Sequence, residues 1–530
     1  MKIACVGGGP GGLFFASLVK LADPSHDVTV FERNRREDTF GFGVVFSDST
    51  LASLASADPT LAERLSAVGE YWDEITVRLK GDELTCGGNG MAAITRKELL
   101  VLLAERAIEA GVKIRWEHEV RTLEDVADAD LVVVADGANS KIRAELSSIV
   151  EPEIGVAQAK FIWFGTTYRF KGLTFLFEES PHGVFAVHGY PISADVGTFI
   201  VETDEETWRA AGLDTFDTSQ PAGPSDEQSR LYLERLFANQ IDGHTLLANN
   251  SRWGNFRTIR NESWRWKNVV LIGDAAHTAH FSVGSGTKMA MEDAAALVDA
   301  LAAHPLDLSG ALEAYEAARR PGVDRIQGSA GPSLAWWEQF GDYYRSFPPQ
   351  QFAFHFLTRV IGHARIGARD PEFVASVHRW WEKRYGDIDP LSGEVSLATV
   401  GPVSRQAKVR VLSEHEMVAE FANGSSLPLF ALPPTDAPSP WGLLVSLDRD
   451  SLTDIDLGTD LGDDRPVLIA VVGGPQHARR ARSEALRLTS GLPVMLIDDD
   501  ANEDRALTVI LSGRADLVGV RTMTSVASES

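Results

Sequence analysis

Three stretches of this 530-residue chain end an apolar run in glycines and carboxylates. The first, KIACVGGGPGGLFFASLVKL, carries Gly7, Gly9 and Gly12 in the spacing G-x-G-x-x-G. The second, DLVVVADGANSKIR (130–143), ends its run in Asp136 and Gly137, with Ser140 and Arg143 following. The third, VVLIGDAAHTAHFSVGSGTKMAMEDA (269–294), stops at Gly273 and Asp274 and crosses small, His and Phe residues. It then starts a helix through Gly284, Ser285, Gly286 and Thr287. Glycine lets a backbone approach a phosphate or a flat ring closely. A carboxylate at a strand end can accept hydrogen bonds from sugar hydroxyls.

The elements that must hold these groups follow from the hydropathy pattern. Lys2–Val6 reads as a buried strand, followed by a glycine turn and a helix from about Pro10. Gly7 suits a tight turn, Gly9 the approach of a pyrophosphate, and Gly12 close helix-to-strand packing. The first helical turn, with Pro10 and Gly11, offers unpaired N–H groups and a positive dipole end to phosphates. A second strand, DVTVFER, ends at Glu32 and Arg33, with Glu32 twenty residues beyond Gly12, where an acid meets a ribose diol. Together these features predict a Rossmann-like α/β domain that binds a dinucleotide. A simple NAD dehydrogenase has no use for the two further turns. FAD does, because its ribityl chain needs a carboxylate in mid-molecule and its isoalloxazine needs a second cradle.

The three signals resemble the group A flavoprotein aromatic hydroxylases, the para-hydroxybenzoate hydroxylase class, over residues 1 to about 400. The resemblance implies that Asp274 binds the ribityl chain. It also implies that the helix start at 284–287 points N–H groups at the flavin's pyrimidine ring, where negative charge gathers on reduction. Arg96, in AAITRKELL, matches the family arginine that reaches FAD, and Gly43, Val44 and Val120 fall beside the cofactor. His280 and Phe281 stand where the common pattern has two prolines. With FGFGVVFSD (40–48), GGNGMAAITRKELL (87–100) and FAFHFLTRV (352–360), that variant is similar to one subgroup. The subgroup comprises the salicylyl-CoA 5-hydroxylases and the monooxygenase half of anthraniloyl-CoA monooxygenase/reductase. The violacein-pathway tryptophan hydroxylase shares the GVVFS and HFS features.

The implied activity is that of an FAD-dependent monooxygenase using NADH or NADPH as a transient reductant and O2 as co-substrate. It would hydroxylate an aromatic acyl thioester through a flavin hydroperoxide, with salicylyl-CoA giving gentisyl-CoA. Anthraniloyl-CoA, a carrier-protein-bound aryl acid, or tryptophan and other indoles are the alternatives. A non-catalytic flavin sensor is the alternative of another class. Oxygen chemistry of this kind needs a dry pocket, for which Val44, Val45, Phe46, Phe281 and Val283 are apolar candidates. Val45, Phe46, His280 and Phe281 form the candidate catalytic set. His280 could hydrogen-bond a substrate phenol or thioester carbonyl, or simply order the loop beside Phe281. His277 reads as structural. Strand-like runs over 155–202 suggest an antiparallel substrate sheet, with Trp163, Tyr168, His188 and Tyr190 as candidates to face the substrate. Residues 203–248 read as helical and acidic, with a loop at SQPAGPSDEQ.

Other chemistry is excluded or disfavoured. AVVGGPQHARRA (470–481) has the wrong glycine spacing for a second nucleotide site, and Cys5 and Cys86 make no redox pair. SWRWKNVV (263–270) lacks the glycine and the Ile-Pro of the flavin-dependent halogenase signature. No metal-ligating set is read. The net charge of -25 argues against nonspecific nucleic-acid binding. An anionic CoA would need local cations such as Lys160, Arg169, Lys171 or the ARRAR cluster (478–482). No apolar run reaches the roughly 18 residues of a membrane span. Two cysteines and a start without a signal-peptide layout point to the cytoplasm.

The reading divides the chain into a monooxygenase over 1–400, a linker over 387–406 and a small C-terminal α/β domain over 407–530. Within the first, the FAD-binding parts fall at about 1–75, 88–150 and 262–330. The substrate sheet takes 75–87 and 151–261, and aromatic-rich helices take 331–386. The last domain resembles the final units of an old-yellow-enzyme barrel, truncated because a full barrel needs at least roughly 200 residues. Its IDDDANED loop would repel a flavin phosphate. The expectation is a barrel remnant without FMN, serving packing, homodimer contact or a wall of the acyl-carrier site.

Overall fold

The computed structural model describes residues 1–38, 41–218, 223–284, 286–432, 440–448, 465–500 and 502–522. Ser285 and part of the loop expected at 219–228 lie outside them, as does the side chain of Val283. The chain forms two compact units, Met1–Gly341 and Asp342–Ser530.

In the first unit, Lys2–Val6 pairs in parallel with Asp27–Phe31 on one side and Leu131–Val134 on the other. Val269–Leu271 adds to Leu131–Val134, and Lys113–Arg115 adds to Asp27–Phe31, both in parallel. Leu131–Val134 is buried at every position, as a strand covered on both faces requires. Parallel pairing brings the carboxyl ends of three strands to one edge. The turns at Gly7, Asp136 and Asp274 therefore meet there, the usual place for a ligand in an open α/β sheet.

An eight-stranded mixed sheet follows, built mainly from Pro152–Thr166, Leu173–Ser180, Gly183–Pro191 and Gly197–Thr203. Side chains alternate between its faces. Ile162, Phe164, Val187, Phe199 and Val201 form one core with Leu233 and Phe237, and Tyr168 packs against it. Trp163, Tyr190 and Ile200 belong to the opposite face, with Trp72 and Phe281. Tyr168 is thus separated from the other candidate substrate-facing residues.

In the second unit, residues 387–406, expected as a linker, carry the hairpin Glu394–Leu397 and Gly401–Ser404. The C-terminal domain holds the strands Leu468–Val472, Val494–Asp498 and Leu517–Thr522 and the helices Gln476–Thr489 and Glu503–Ser512. Its strands belong to a closed barrel. An antiparallel meander, Gln406–Ser413, Glu416–Phe421 and Ser426–Phe430, substitutes for missing β/α units. Its first strand closes the barrel by pairing in parallel with Leu517–Thr522. The interior is filled, since a Cβ on Gly519 would lie 2.7 Å from Val409 and 3.0 Å from Met495 Sδ.

A buried polar cluster also lies in this unit. Arg514 Nε lies 2.5 Å from Glu484 Oε1, and Tyr343 Oη donates to the same carboxylate at 2.9 Å. Burial pushes the His355 imidazole down to about 4, with Arg514 adding to the effect. Burial alone would raise Glu484, but Arg514 and His355 overcome it and hold the carboxyl at about 2. Both folded values lie below the unfolded ones, so the unfolded chain binds more protons as pH falls. This unit should keep its full stability above pH about 6.5 and lose on the order of 2 kcal/mol as pH falls toward 4. The Glu484 contribution drains below about 4.5. Thermal melts across this range check the trend, and His355→Gln should flatten its upper part.

Candidate active site

Gly7 turns at φ +109°, and a Cβ there would lie 2.3 Å from the Ala135 carbonyl oxygen. A Cβ on Gly12 would lie 2.1 Å from the Gly7 carbonyl oxygen. These two glycines are fixed by the approach of the first turn to the second. Gly9 differs, since a Cβ there meets nothing within 4 Å. A Cβ on Gly11 would lie 3.1 Å from Ala290 Cβ, so glycine there lets the first helix, Pro10–Ala22, pack close to Ala290. No side chain caps that helix, so its leading N–H groups remain available to a phosphate.

These turns border a cleft of about 310 Å³. Gly7, Gly9 and Pro10 line one part of it, Glu32, Arg33 and Val120 another, and Arg96, Asp136, Gly137 and Asp274 a third. Glu32 Oε2 accepts from the Gly8 N–H at 2.7 Å, while Oε1 accepts from the Asn34 backbone N–H and side-chain amide. Oε2 keeps a lone pair for a ribose hydroxyl.

Asp136 Oδ2 accepts from Lys141 N–H at 3.0 Å, but Oδ1 is buried with no hydrogen-bond partner among the described residues. Burial raises this carboxyl above its ordinary value. An orphaned buried oxygen is costly, and its position marks where a ligand hydroxyl or amide belongs. Asp274 is exposed toward the cleft that it lines. The protein packed around it raises the carboxyl, opposed first by Arg96 and then by His277.

Arg143 ties the two later turns together. Its guanidinium donates to the Ala138 carbonyl at 2.6 Å and to the Ala275 carbonyl at 3.1 Å. Arg143→Met should therefore weaken FAD binding by roughly tenfold or more, since a buried and a half-buried carbonyl lose a charged donor. A fluorescence titration of apo-protein with FAD checks this.

The Gly273–Asp274 turn is anchored from behind by the buried Asp293. Its Oδ2 accepts from Gly273 N–H at 2.9 Å, and its Oδ1 accepts from Arg319 Nε at 2.8 Å. His277 Nε2 lies 2.8 Å from Oδ2, at an angle poor for a hydrogen bond. Burial works to raise Asp293, but His277 and Arg319 outweigh it and hold the carboxyl low.

Phe281 is the centre of an aromatic wall, with ring centroids 5.1 Å from Phe161, 5.4 Å from His188 and 6.2 Å from Trp163. Val45 packs in the same cluster. Phe46 does not: with Val44, it is buried in the α/β core. Strand alternation over Gly43–Ser47 sends neighbours to opposite faces, so Phe46 and Val45 face different ways. Gly43 also has another explanation, since a Cβ there would lie 2.3 Å from Ile192 and 2.8 Å from Thr198 Oγ1. Its absence of a side chain serves packing onto the substrate sheet. Gly284 and Gly286 each present open space where a Cβ would stand, and Thr287 is half-buried. Lys160, considered above for CoA, sits over the Trp208 ring and donates to Asn255 at 2.9 Å.

His280 is buried. Its Nδ1 lies 2.8 Å from Ser282 Oγ, and its Nε2 lies 3.6 Å from Glu202 Oε2. Sequence reasoning missed Glu202, Asp293 and Arg319. For Glu202 the signal was a carboxylate in the apolar strand GTFIVET, in step with Ile200.

The donor set fits FAD: an open glycine at a helix start, an acid with a spare lone pair, an orphaned buried carboxylate oxygen and a second carboxylate facing the same cleft. Residues 1–329 match the FAD binding domain family. The chain is 49% identical over 525 residues to a salicyloyl-CoA 5-hydroxylase of a Streptomyces species, spanning 98% of this chain and 99% of that protein. It is 38% identical over 345 residues to the 3-hydroxy-4-methyl-anthranilyl-[aryl-carrier protein] 5-monooxygenase of Streptosporangium sibiricum, spanning 64% of this chain and 90% of that protein. Among solved structures, p-nitrophenol 4-monooxygenase from Pseudomonas putida superposes with a TM-score of 0.55 at 16% identity, over 73% of this chain and 98% of that one.

Proposed function

The chain belongs to the FAD binding domain family and is a flavin-dependent aromatic monooxygenase; from that premise we propose that it hydroxylates salicyloyl-CoA at ring carbon 5, giving gentisyl-CoA. One observation carries the choice of substrate. The match to the Streptomyces salicyloyl-CoA 5-hydroxylase runs through both compact units, including Asp342–Ser530. The match to the carrier-protein monooxygenase covers 64% of this chain.

Bound FAD supplies hydride acceptance from NAD(P)H and activation of O2 toward an electron-rich ring. The protein's part is to bind, orient and keep dry. Gly9 and the helix start behind it receive the pyrophosphate, and Glu32 the ribose. Asp136 and Asp274 meet the middle of the cofactor, with Arg96 beside Asp274. The helix Gly286–Ala303 begins at the far end of the third turn, where its dipole favours negative charge on the ring. Val45, Phe281 and Trp163 exclude water from the reacting face. The regiochemistry follows from the substrate: carbon 5 is para to the hydroxyl and meta to the thioester, so both groups direct an electrophilic oxygen there.

Cys5 and Cys86 are buried. Burial pushes the Cys5 thiol up to about 12, which removes it from thiol chemistry. Among the described residues, no helix is long and apolar enough to cross a membrane.

A spectral titration of the FAD-loaded protein with salicyloyl-CoA, anthraniloyl-CoA, free salicylate and tryptophan tests the reading. Salicyloyl-CoA should perturb the flavin spectrum most strongly, raise NAD(P)H oxidation by at least roughly tenfold and yield the 5-hydroxylated thioester. A larger response to anthraniloyl-CoA, or to a free aromatic, would reject this substrate.

A further inference from the structure

Behind Phe281 lie three buried titratable side chains. Glu202 is 1% exposed, His280 2% and His188 4%. Glu202 uses its two oxygens on two imidazoles: Oε1 lies 2.5 Å from His188 Nε2, and Oε2 lies 3.6 Å from His280 Nε2. On the other side of His280, Nδ1 lies 2.8 Å from Ser282 Oγ, which lies 2.8 Å from Ser333 Oγ. The backbone N–H of Ser282 also points at Nδ1, at 3.4 Å. An N–H can only donate, so Nδ1 is the accepting nitrogen and Nε2 carries the proton toward Glu202. Ser282 is the half-buried member of this chain of groups, next to Phe281.

Resting on the hydroxylase reading above, we propose that Ser282, His280 and Glu202 form the path that removes the proton of the substrate's ring hydroxyl. His188 is the second imidazole that fixes Glu202. In this step the ring O–H bond breaks and its electron pair stays on the ring oxygen. The proton passes to Ser282 Oγ as Ser282 gives its own hydroxyl proton to His280 Nδ1. His280 becomes an imidazolium beside the Glu202 carboxylate. A phenolate directs an electrophilic oxygen to the para carbon more strongly than a phenol, so the step serves 5-hydroxylation. Glu202 and His188 act through His280 and are positioning residues.

Among the described residues, groups from the sheet, the loop, the long helix and a further strand face His280. The sheet presents Glu202 and His188. Its own loop presents His277, which is turned to Asp293. The long helix Leu308–Trp337 presents Ser333, with Trp337 stacked near His188 at 4.3 Å. The strand Gly254–Asn261 presents the Phe256 ring at 5.0 Å.

Two measurements test the path. In the first, salicyloyl-CoA is bound to the FAD-loaded protein at a series of pH values and its phenolate absorbance is followed. Wild type should ionise the bound hydroxyl at lower pH than in free salicyloyl-CoA. Glu202→Gln should lower the bound phenolate fraction by roughly tenfold while FAD content and salicyloyl-CoA affinity hold. With its counter-charge gone, His280 holds a proton less well, so the acid limb of kcat should move to lower pH by about one unit. Ser282→Ala should reproduce the phenolate loss and stands in if Glu202→Gln does not fold. Wild-type ionisation in both variants overturns the path. The second measurement needs no substrate: ¹⁵N-histidine NMR, with His280 and His188 assigned by their Gln variants. The two imidazoles should titrate as a coupled pair in wild type and as independent groups in Glu202→Gln. Independent titration in wild type overturns the cluster. If wild type fails to hydroxylate salicyloyl-CoA, the substrate reading falls, and the histidine titration still decides the cluster.

Discussion

A Gly12→Ala variant should lose its flavin, and much of its stability with it. The new Cβ would lie 2.1 Å from the Gly7 carbonyl oxygen, 3.1 Å from Cys5 Sγ and 3.2 Å from Ala135 Cβ. The first of these is backbone and cannot swing aside. Gly7 cannot retreat either, because it is itself held against the Ala135 carbonyl. The strain must spread through the first turn into the second, and both line the cofactor cleft. Overpacking of this kind costs on the order of 3 kcal/mol. If most of that falls on the cleft, FAD affinity drops by about a hundredfold. Flavin absorbance of the purified variant and an FAD titration of its apo form measure the effect. Gly9→Ala is the control. With open space around its Cβ, it should fold normally and weaken FAD by a smaller factor.

Asp293→Ala is expected to be the most destabilising single change in the first unit. It leaves the Arg319 guanidinium, His277 and the Gly273 N–H without their shared carboxylate. Breaking a buried ion pair from one side costs roughly 3–5 kcal/mol, which for a unit of this size lowers Tm by on the order of 10 °C. The turn bearing Asp274 loses its anchor at the same time, so FAD should dissociate faster. The pH dependence has a definite sign. Asp293 is held below its ordinary value, so its contribution is complete above roughly pH 4 and is lost as pH falls further. Wild type should lose this increment in acid, and the variant should have none to lose. Calorimetry at pH 7 and at about pH 3, below the ordinary aspartate value, separates the two.

The cofactor half of the site was legible because its logic is local. Gly7, Gly9, Gly12 and Glu32 lie within one strand–helix–strand unit, and their spacing alone predicts the turn. Asp136 and Asp274 could be read as strand ends because Leu131–Val134 and Val269–Leu271 are uniformly apolar. The substrate half was legible only in part. Alternation says that Trp163 and Phe164 point opposite ways, but not which way the flavin lies, and so Tyr168 was grouped with His188. The same ambiguity put Phe46 with Val45. Glu202 was passed over because an isolated carboxylate in a strand reads as solvent-facing. Only the pairing of Ala186 with Glu202 and of His188 with Ile200 sets the acid beside the imidazole. In the second unit, the β/α repeats were readable from their periodicity. The closing meander was not, since the parallel pairing of Gln406–Ser413 with Leu517–Thr522 joins positions more than a hundred residues apart.

The claim on which the rest depends is that three turns from distant parts of the chain bind one flavin. The most direct measurement is a fluorescence titration of apo-protein with FAD, in wild type and in an Asp136→Ala/Asp274→Ala double variant. Wild type should saturate at one FAD per chain, and the double variant, folded by circular dichroism, should bind at least roughly a hundredfold more weakly. Saturation of the double variant at wild-type concentrations, or a wild-type protein that takes up FMN in place of FAD, would contradict the account.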